Sequence, residues 1–115
     1  MLISRSGDQL ENVAQSCRVN GVDVATQCLD LTKPESIAAG LAELLQKGET
    51  PSVLINNAGA AYTGDLLGMP LDQWQWLLQL NVTSVQQVCA AVVPSMRNKG
   101  GLVINVSSHA ARNAF

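Results

Sequence analysis

The sequence predicts a single α/β domain in which helices cover both faces of a parallel sheet. Three observations predict it: apolar segments of strand length recur along the 115 residues, segments with helical periodicity lie between them, and the strands end in polar residues. The order β-α-β-α-β-α-β is typical of parallel strands joined by right-handed crossovers. Because 47% of the residues are apolar and only 14% are charged, the chain is rich enough in apolar side chains to bury one core.

The first half of the chain predicts strand, helix, strand and helix. Residues 1–3 form a short apolar strand, and Asn20-Gly21 ends the helix that follows it. Residues 22–29 alternate and predict the second strand. Thr32 and Glu35 have the spacing of a capping box at the start of the next helix, which Gly48 ends. The apolar positions with helical spacing are Leu10, Val13, Ala14 and Cys17 in the first helix and Ile37, Ala38, Leu41, Leu44 and Leu45 in the second.

The second half predicts two further strands around one long helix. Residues 52–56 are apolar without interruption, as expected for a strand that is covered on both faces. Leu71 to about Met96 predicts a helix that is strained or bent near Pro94. After Gly100-Gly101, residues 102–106 predict the fourth strand.

Polar residues stand at the carboxyl end of every predicted strand, where open parallel sheets bind their ligands. Any one of them could simply cap a helix or form a turn. Four of them along one rim predict a binding crevice instead. They are Ser4-Arg5, Asp30, Asn56-Asn57 and Ser107-Ser108.

Composition narrows the class of function. The net charge is −2 and the seven Lys and Arg residues are scattered, so we expect no nucleic-acid or membrane partner. No apolar run approaches the roughly 18 residues of a membrane span, and no signal-peptide pattern is present. The three cysteines show no metal-ligand spacing, which predicts free thiols, no metal site and a cytoplasmic protein.

Four stretches and one asparagine make the whole chain similar to the short-chain dehydrogenase/reductase family. They are Leu2-Ile3-Ser4-Arg5, Asp30-Leu31, Asn56-Asn57-Ala58-Gly59, Asn81 and Asn105-Val106-Ser107-Ser108. Asn57 follows Asp30 by 27 positions, Asn81 comes 24 later and Ser108 another 27 later, and these separations resemble those of the family's reductases. The resemblance implies a partial Rossmann-like, doubly wound sheet, with strands corresponding to the family's second to fifth and without its central first strand. Residues 1–115 would then be a partial dinucleotide-binding domain.

The resemblance also implies a role for each residue of the crevice. Asp30 and Leu31 match the stretch that contacts the adenine ring. Asn57, Ala58 and Gly59 match a turn that lies along the cofactor, and the last two have little or no side chain to keep a ligand from the backbone. We expect the adjacent carboxamides to satisfy backbone groups where the strand opens.

Ser4 and Arg5 bear on the choice of cofactor. Family members that use NAD commonly carry an acidic residue where Ser4 stands. The neutral side chain here, followed by an arginine that can pair with a phosphate, favours NADP(H) over NAD. The alternative is that Arg5 only solvates a loop.

Ser108 matches the family's catalytic serine, which holds the substrate oxygen. Asn81 matches a catalytic residue that interrupts the long helix and frees a carbonyl for a water, although its spacing alone favours an ordinary exposed helical asparagine. The tyrosine-lysine pair of the family's reaction is expected beyond Phe115.

The predicted function is therefore that of a fragment of an NADP(H)-dependent oxidoreductase, which transfers hydride between nicotinamide and a carbonyl or alcohol substrate. A 3-oxoacyl thioester reductase is one plausible member. The alternatives are a non-catalytic nucleotide-binding or interaction module and an inactive truncated chain. We expect marginal folding of the 115 residues alone and a homodimer or homotetramer for the full-length enzyme. Its interface would lie along Leu71–Met96, whose apolar positions include Val85, Val88, Cys89, Val92 and Val93. The alternative is that this stripe is buried within the monomer.

Overall fold

The computed structural model describes residues 1–46 and 50–109 and confirms the predicted alternation. A 3-10 turn, Leu66–Gly68, precedes α3, and a π-helical segment, Gln79–Thr83, joins α3 to α4. The other elements, in chain order, are β1 (Leu2–Ser4), α1 (Gly7–Val19), β2 (Thr26–Cys28), α2 (Pro34–Gln46), β3 (Val53–Asn56), α3 (Leu71–Leu78), α4 (Ser84–Met96) and β4 (Leu102–Asn105).

The strands form two separate parallel pairs with a cleft between them. β1 pairs with β2, with Leu2 opposite Thr26, and β3 pairs with β4, with Val53 opposite Leu102. Within the described residues no ladder joins the two pairs, and β1 and β3 are the strands that border the cleft. The spatial order is therefore β2-β1-cleft-β3-β4. This is the arrangement of a partial Rossmann-like sheet without its central strand, as predicted.

The core lies between α2 and α4, because each helix carries an apolar stripe with a spacing of three or four residues. Leu31 and Leu54 pack against this core from the second connection and from β3. On α1, Leu10 and Ala14 are buried, and α1 packs against β1 and β2. The buried side chains of the core are Ile37, Leu41 and Leu44 on α2 and Val88, Val92 and Met96 on α4.

Two boundaries in the first half differ from the prediction. The second strand begins at Thr26 rather than Val22, because the guanidinium of Arg18 donates to the carbonyl oxygen of Val24 at 3.1 Å and holds that segment outside the ladder. The capping box is also wrong. The hydroxyl of Thr32 donates to Asp30, and α2 begins at Pro34.

The apolar stripe of α2 is narrower than predicted. Ala38 is exposed and Leu45 is only half-buried, so Ile37, Leu41 and Leu44 alone face the core. Gly48, which was predicted to end this helix, lies outside the described residues.

The prediction that both faces of β3 are covered is wrong for this chain. Leu54 packs on the core, whereas Val53 and Ile55 are 47% and 59% exposed. All four residues of β4 are exposed as well. The reason is that the described helices cover this strand pair only at Leu54, and no described element covers the opposite face of β3 or the residues of β4.

The long helix spans Leu71–Met96 as predicted, but its irregularity lies elsewhere. The π-helical segment interrupts it at Gln79–Thr83, whereas α4 continues through Pro94. Val88 and Val92 are buried against α2, so their assignment to an oligomer surface is wrong. By length and composition alone this helix could cross a membrane, a test that core helices of soluble proteins also pass.

Candidate functional site

The cleft between the two strand pairs has a volume of about 680 Å³, within the range typical of ligand sites. The carboxyl ends of β1 and β3 both reach it, since the last residues of these strands, Ser4 and Asn56, are part of its lining. The structure thereby brings together seven of the residues predicted to bind a cofactor. They are Ser4, Arg5, Asp30, Leu31, Asn57, Ala58 and Gly59.

The cleft has a polar rim and apolar walls. Below the rim, Leu10 of α1 faces the space from one side, and Leu54 of β3 and Val88 of α4 face it from the other. Aliphatic side chains offer no hydrogen-bond partner, so we expect a polar ligand to be held mainly at the rim. The aromatic ring of Trp76 also lines the cleft, which the sequence did not indicate.

The rim at the end of β1 favours an anion. Arg5 is exposed there, and α1 begins two residues later. Ser6, the N-cap of α1, makes no side-chain capping hydrogen bond, so the amide groups of the first turn are open to a ligand. Asp8 in the same turn opposes a negative ligand. The Ser4 hydroxyl accepts from the amide of Ser6 at 3.4 Å.

Asp30 is held by its own loop. Its Oδ1 accepts from the amide of Thr32 at 2.9 Å and from the Thr32 hydroxyl at 2.7 Å. These two bonds, the hydroxyl first, lower the pKa of Asp30, and the positive charges of Lys33 and Arg5 add to the effect against a small opposing contribution from burial. The carboxylate is therefore ionised at neutral pH and acts only as a hydrogen-bond acceptor.

Asn56, the last residue of β3, is used differently from the prediction. The carboxamide nitrogen of Asn56 donates to Oδ1 of Asn105 at 2.8 Å and to Sγ of Cys89 at 3.3 Å. Its partners are thus side chains of β4 and α4 rather than backbone groups. Asn56 fastens the end of the β3–β4 ladder to α4, and Asn57 follows at the cleft. Cys89 and the other two cysteines are free thiols, as predicted.

Asn81 clamps the loop that follows the Asn-Asn-Ala-Gly turn. Its Oδ1 accepts from the amide of Ala60 at 3.0 Å, and its Nδ2 donates to the Ala60 carbonyl at 2.9 Å. A Cβ on Gly59 would lie 2.9 Å from that Oδ1, which explains why a glycine stands there. The alternative of an ordinary helical asparagine is wrong, because Asn81 lies in the π-helical segment and bonds to a distant loop. Its catalytic role stays a prediction.

Ser108 lies outside the lining of the cleft. It follows β4, whose last residue, Asn105, lies opposite Asn56, so it leaves the sheet at the same edge as the cleft. It is also exposed. Its role as the catalytic serine stays a prediction.

Thr32 is the site residue that sequence reasoning missed, since it was assigned to a helix cap. The signal was the spacing Asp30-x-Thr32, in which an aspartate commonly binds the backbone two residues later. Within residues 1–46 and 50–109, no group of three or more His, Cys, Asp and Glu residues is placed to hold a metal ion.

A family model described as short chain dehydrogenase matches residues 1–115. The 3-oxoacyl-(acyl-carrier-protein) reductase FabG of Pseudomonas aeruginosa is 32% identical over 104 residues, which cover 90% of this chain and 42% of that protein. A metagenomic short-chain oxidoreductase solved with NADP superposes with a TM-score of 0.91 at 28% identity, over 99% of this chain and 53% of the other. A 7 alpha-hydroxysteroid dehydrogenase solved with NADH and 7-oxo glycochenodeoxycholic acid superposes with a TM-score of 0.89 at 25% identity, over 99% of this chain and 45% of the other. The chain thus spans about half the length of these proteins.

Proposed function

The chain belongs to the short-chain dehydrogenase family, and from that premise we propose that it carries the adenine side of a dinucleotide site together with the substrate-binding serine of a carbonyl reductase. The whole enzyme would transfer hydride between NADP(H) and a carbonyl or alcohol substrate. The observation that supports this most directly is the gathering of seven predicted cofactor residues on one cleft. The names of the relatives support a ketone or secondary alcohol as the reacting group.

Each part of the rim suits one part of the cofactor. Arg5 and the open first turn of α1 would hold the 2′-phosphate, since a guanidinium pairs with a phosphate and a helix N-terminus attracts an anion. Asp30 would accept a hydrogen bond from the adenine amino group. Ala58 and Gly59 present little side chain, so the backbone of this turn can run close to the ligand.

The chemistry assigned to this chain is binding and polarisation. NADP(H), when bound, supplies or accepts the hydride. The hydroxyl of Ser108 would donate a hydrogen bond to the carbonyl oxygen of the substrate and so orient and polarise it. Asn81 would act through the π-helical segment, in which the helical hydrogen-bond ladder is interrupted and a carbonyl becomes available to a water.

Two finer statements belong to the same proposal. A 3-oxoacyl thioester is the substrate that the Pseudomonas relative suggests. A location in the cytoplasm suits the three free cysteines. For self-association we propose α3, on which Leu71, Trp74 and Leu78 form an exposed apolar stripe at helical spacing. This stripe replaces the buried valines of α4 as the candidate contact between two copies.

The cofactor proposal is tested by measuring the dissociation constants of NADPH and NADH for the chain by isothermal titration calorimetry. We expect NADPH to bind more tightly. Arg5→Ala should raise the dissociation constant of NADPH by about tenfold, as expected for the loss of one charged hydrogen bond, and leave that of NADH nearly unchanged. Ser4→Asp should reverse the preference, because a carboxylate repels the phosphate and accepts from the ribose hydroxyl that replaces it.

Arg97→Ala is the matched control, since Arg97 is an exposed arginine at the end of α4, outside the cleft lining. It should change neither dissociation constant. If Arg5→Ala weakens the binding of NADPH and NADH equally, Arg5 does not bind the 2′-phosphate. If neither dinucleotide binds, the cofactor site itself is refuted for this chain.

A further inference from the structure

The two carboxylate oxygens of Asp30 stand in different surroundings. Oδ1 accepts both hydrogen bonds from Thr32, one from the amide and one from the hydroxyl. Among the hydrogen bonds of residues 1–46 and 50–109, none involves Oδ2. Because Asp30 lines the cleft, Oδ2 is the carboxylate oxygen that is left to accept from a ligand there.

The loop that carries this acceptor is fixed at both ends. Leu29, before Asp30, is buried and would touch a Cβ placed on Gly40 of α2. Leu31, after it, packs on the core between α2 and α4, and its carbonyl accepts from the Gln79 side chain at 3.4 Å. With the backbone held, the torsion angles of the Asp30 side chain are the remaining freedom, and the Thr32 hydroxyl restrains them.

We propose that Thr32 is a positioning residue: by binding Oδ1 it aims Oδ2 of Asp30 into the cleft, and this selects a 6-aminopurine over a 6-oxopurine in the bound dinucleotide. The inference rests on the proposed cofactor site and adds to it the residue that enforces base discrimination. Thr32 itself need not touch the base. Its effect passes through the orientation of the carboxylate.

The discrimination follows from hydrogen-bond chemistry. The 6-amino group of adenine is a donor and pairs with a carboxylate. The 6-oxo group of hypoxanthine is an acceptor and would leave two acceptors facing each other. The low pKa of Asp30 keeps the carboxylate ionised, so it cannot become a donor to the oxo group at neutral pH. A carboxylate free to rotate would turn Oδ2 toward water and lose part of the selection.

The test compares NADPH with reduced nicotinamide hypoxanthine dinucleotide phosphate, which differs from it only in the purine: a 6-oxo group replaces the 6-amino group, and N1 carries a proton. Their dissociation constants are measured on the 115-residue chain by calorimetry, with energy transfer from Trp76 to the nicotinamide as a second signal. Wild type should prefer NADPH. Thr32→Val, which removes only the hydroxyl, should lower that preference by about threefold to tenfold, as expected for one net hydrogen bond. Thr32→Ser should restore it.

Two further variants separate positioning from a general effect on folding. Thr63→Val is the matched control, because Thr63 is exposed in the loop after β3 and is not part of the cleft lining. It should leave the preference unchanged. Asp30→Asn introduces an amide donor, so the preference should shift toward the hypoxanthine cofactor even if Thr32→Val fails to fold.

The outcomes are distinct. A loss confined to NADPH in Thr32→Val, with recovery in Thr32→Ser, supports the inference. Equal weakening of both cofactors by Thr32→Val makes the threonine merely structural and overturns the inference while the cofactor site stands. An unchanged preference in Asp30→Asn also overturns it. If wild type binds neither cofactor, the proposed function fails and the inference fails with it.

Discussion

The clamp between Asn81 and Ala60 makes the effect of a substitution at Gly59 depend on the residue at position 81. In wild type, a Cβ at position 59 would lie 2.9 Å from Oδ1 of Asn81, and that oxygen cannot withdraw without giving up its bond to the Ala60 amide. Gly59→Ala should therefore open the clamp. In an Asn81→Ala background the obstacle is gone, and the same substitution should do no harm.

The magnitudes follow from the two hydrogen bonds. Each is worth about 0.5–1.5 kcal/mol net, so Asn81→Ala loses about 1–3 kcal/mol, less up to about 0.7 kcal/mol for the better helix propensity of alanine. Gly59→Ala loses about the same clamp but gains about 0.4–1 kcal/mol because alanine restricts the unfolded chain. It should destabilise wild type by about 1 kcal/mol. In the Asn81→Ala background it should stabilise the chain by about 0.5 kcal/mol.

The assay is a double-mutant cycle on the free energy of unfolding, measured by urea titration with far-ultraviolet circular dichroism and tryptophan fluorescence. Gly7→Ala is the matched control, because a Cβ at Gly7 meets no atom within 4 Å. It should have one effect in both backgrounds. If Gly59→Ala destabilises wild type and the Asn81→Ala variant equally, the side chain of Asn81 does not require the glycine, and the reasoning is refuted.

Two other predictions concern charge and packing. Hydrogen bonds from Thr32 hold the pKa of Asp30 below its usual 3.8, so its contribution to stability is present above that pH and is lost as the pH falls through the lower folded value. Asp30→Asn should flatten this part of the acid-unfolding curve, and an unchanged curve would contradict the assignment. Leu41→Ala, at 2% exposure, should cost about 2–5 kcal/mol, whereas Leu67→Ala, at 95% exposure, should change the unfolding free energy by less than about 0.5 kcal/mol. Equal melting temperatures for these two variants would refute the burial of Leu41 in the core between α2 and α4.

The elements themselves could be predicted from the sequence because their signals are local. The spacing of Ile37, Leu41 and Leu44 predicts the buried face of α2, although the same period also included Ala38, which is exposed. The cleft was also predictable, since parallel strands bring their carboxyl ends to one edge and polar residues stand at each end. Both conclusions need only periodicity and topology.

Contacts between distant parts of the chain could not be predicted in the same way. The carboxamide of Asn56 meets Asn105, 49 positions away, and that of Asn81 meets Ala60, 21 positions away. An asparagine can bind backbone, side chain or water with equal ease, so its partner depends on the assembled structure. Thr32 was misassigned for a related reason: its hydroxyl donates to the carboxylate of Asp30 instead of accepting from an amide of the helix that follows.

Because no backbone ladder crosses the cleft within residues 1–46 and 50–109, side-chain packing sets its width there. Among the described residues, Leu29 against Gly40 of α2 and Leu31 between α2 and α4 link the unit of β1, α1 and β2 to the unit of β3, α3, α4 and β4. A backbone segment or a ligand that bonded to both β1 and β3 would join the two units and make them unfold together. Without such a bridge, amide exchange in β1 should proceed independently of exchange in β3.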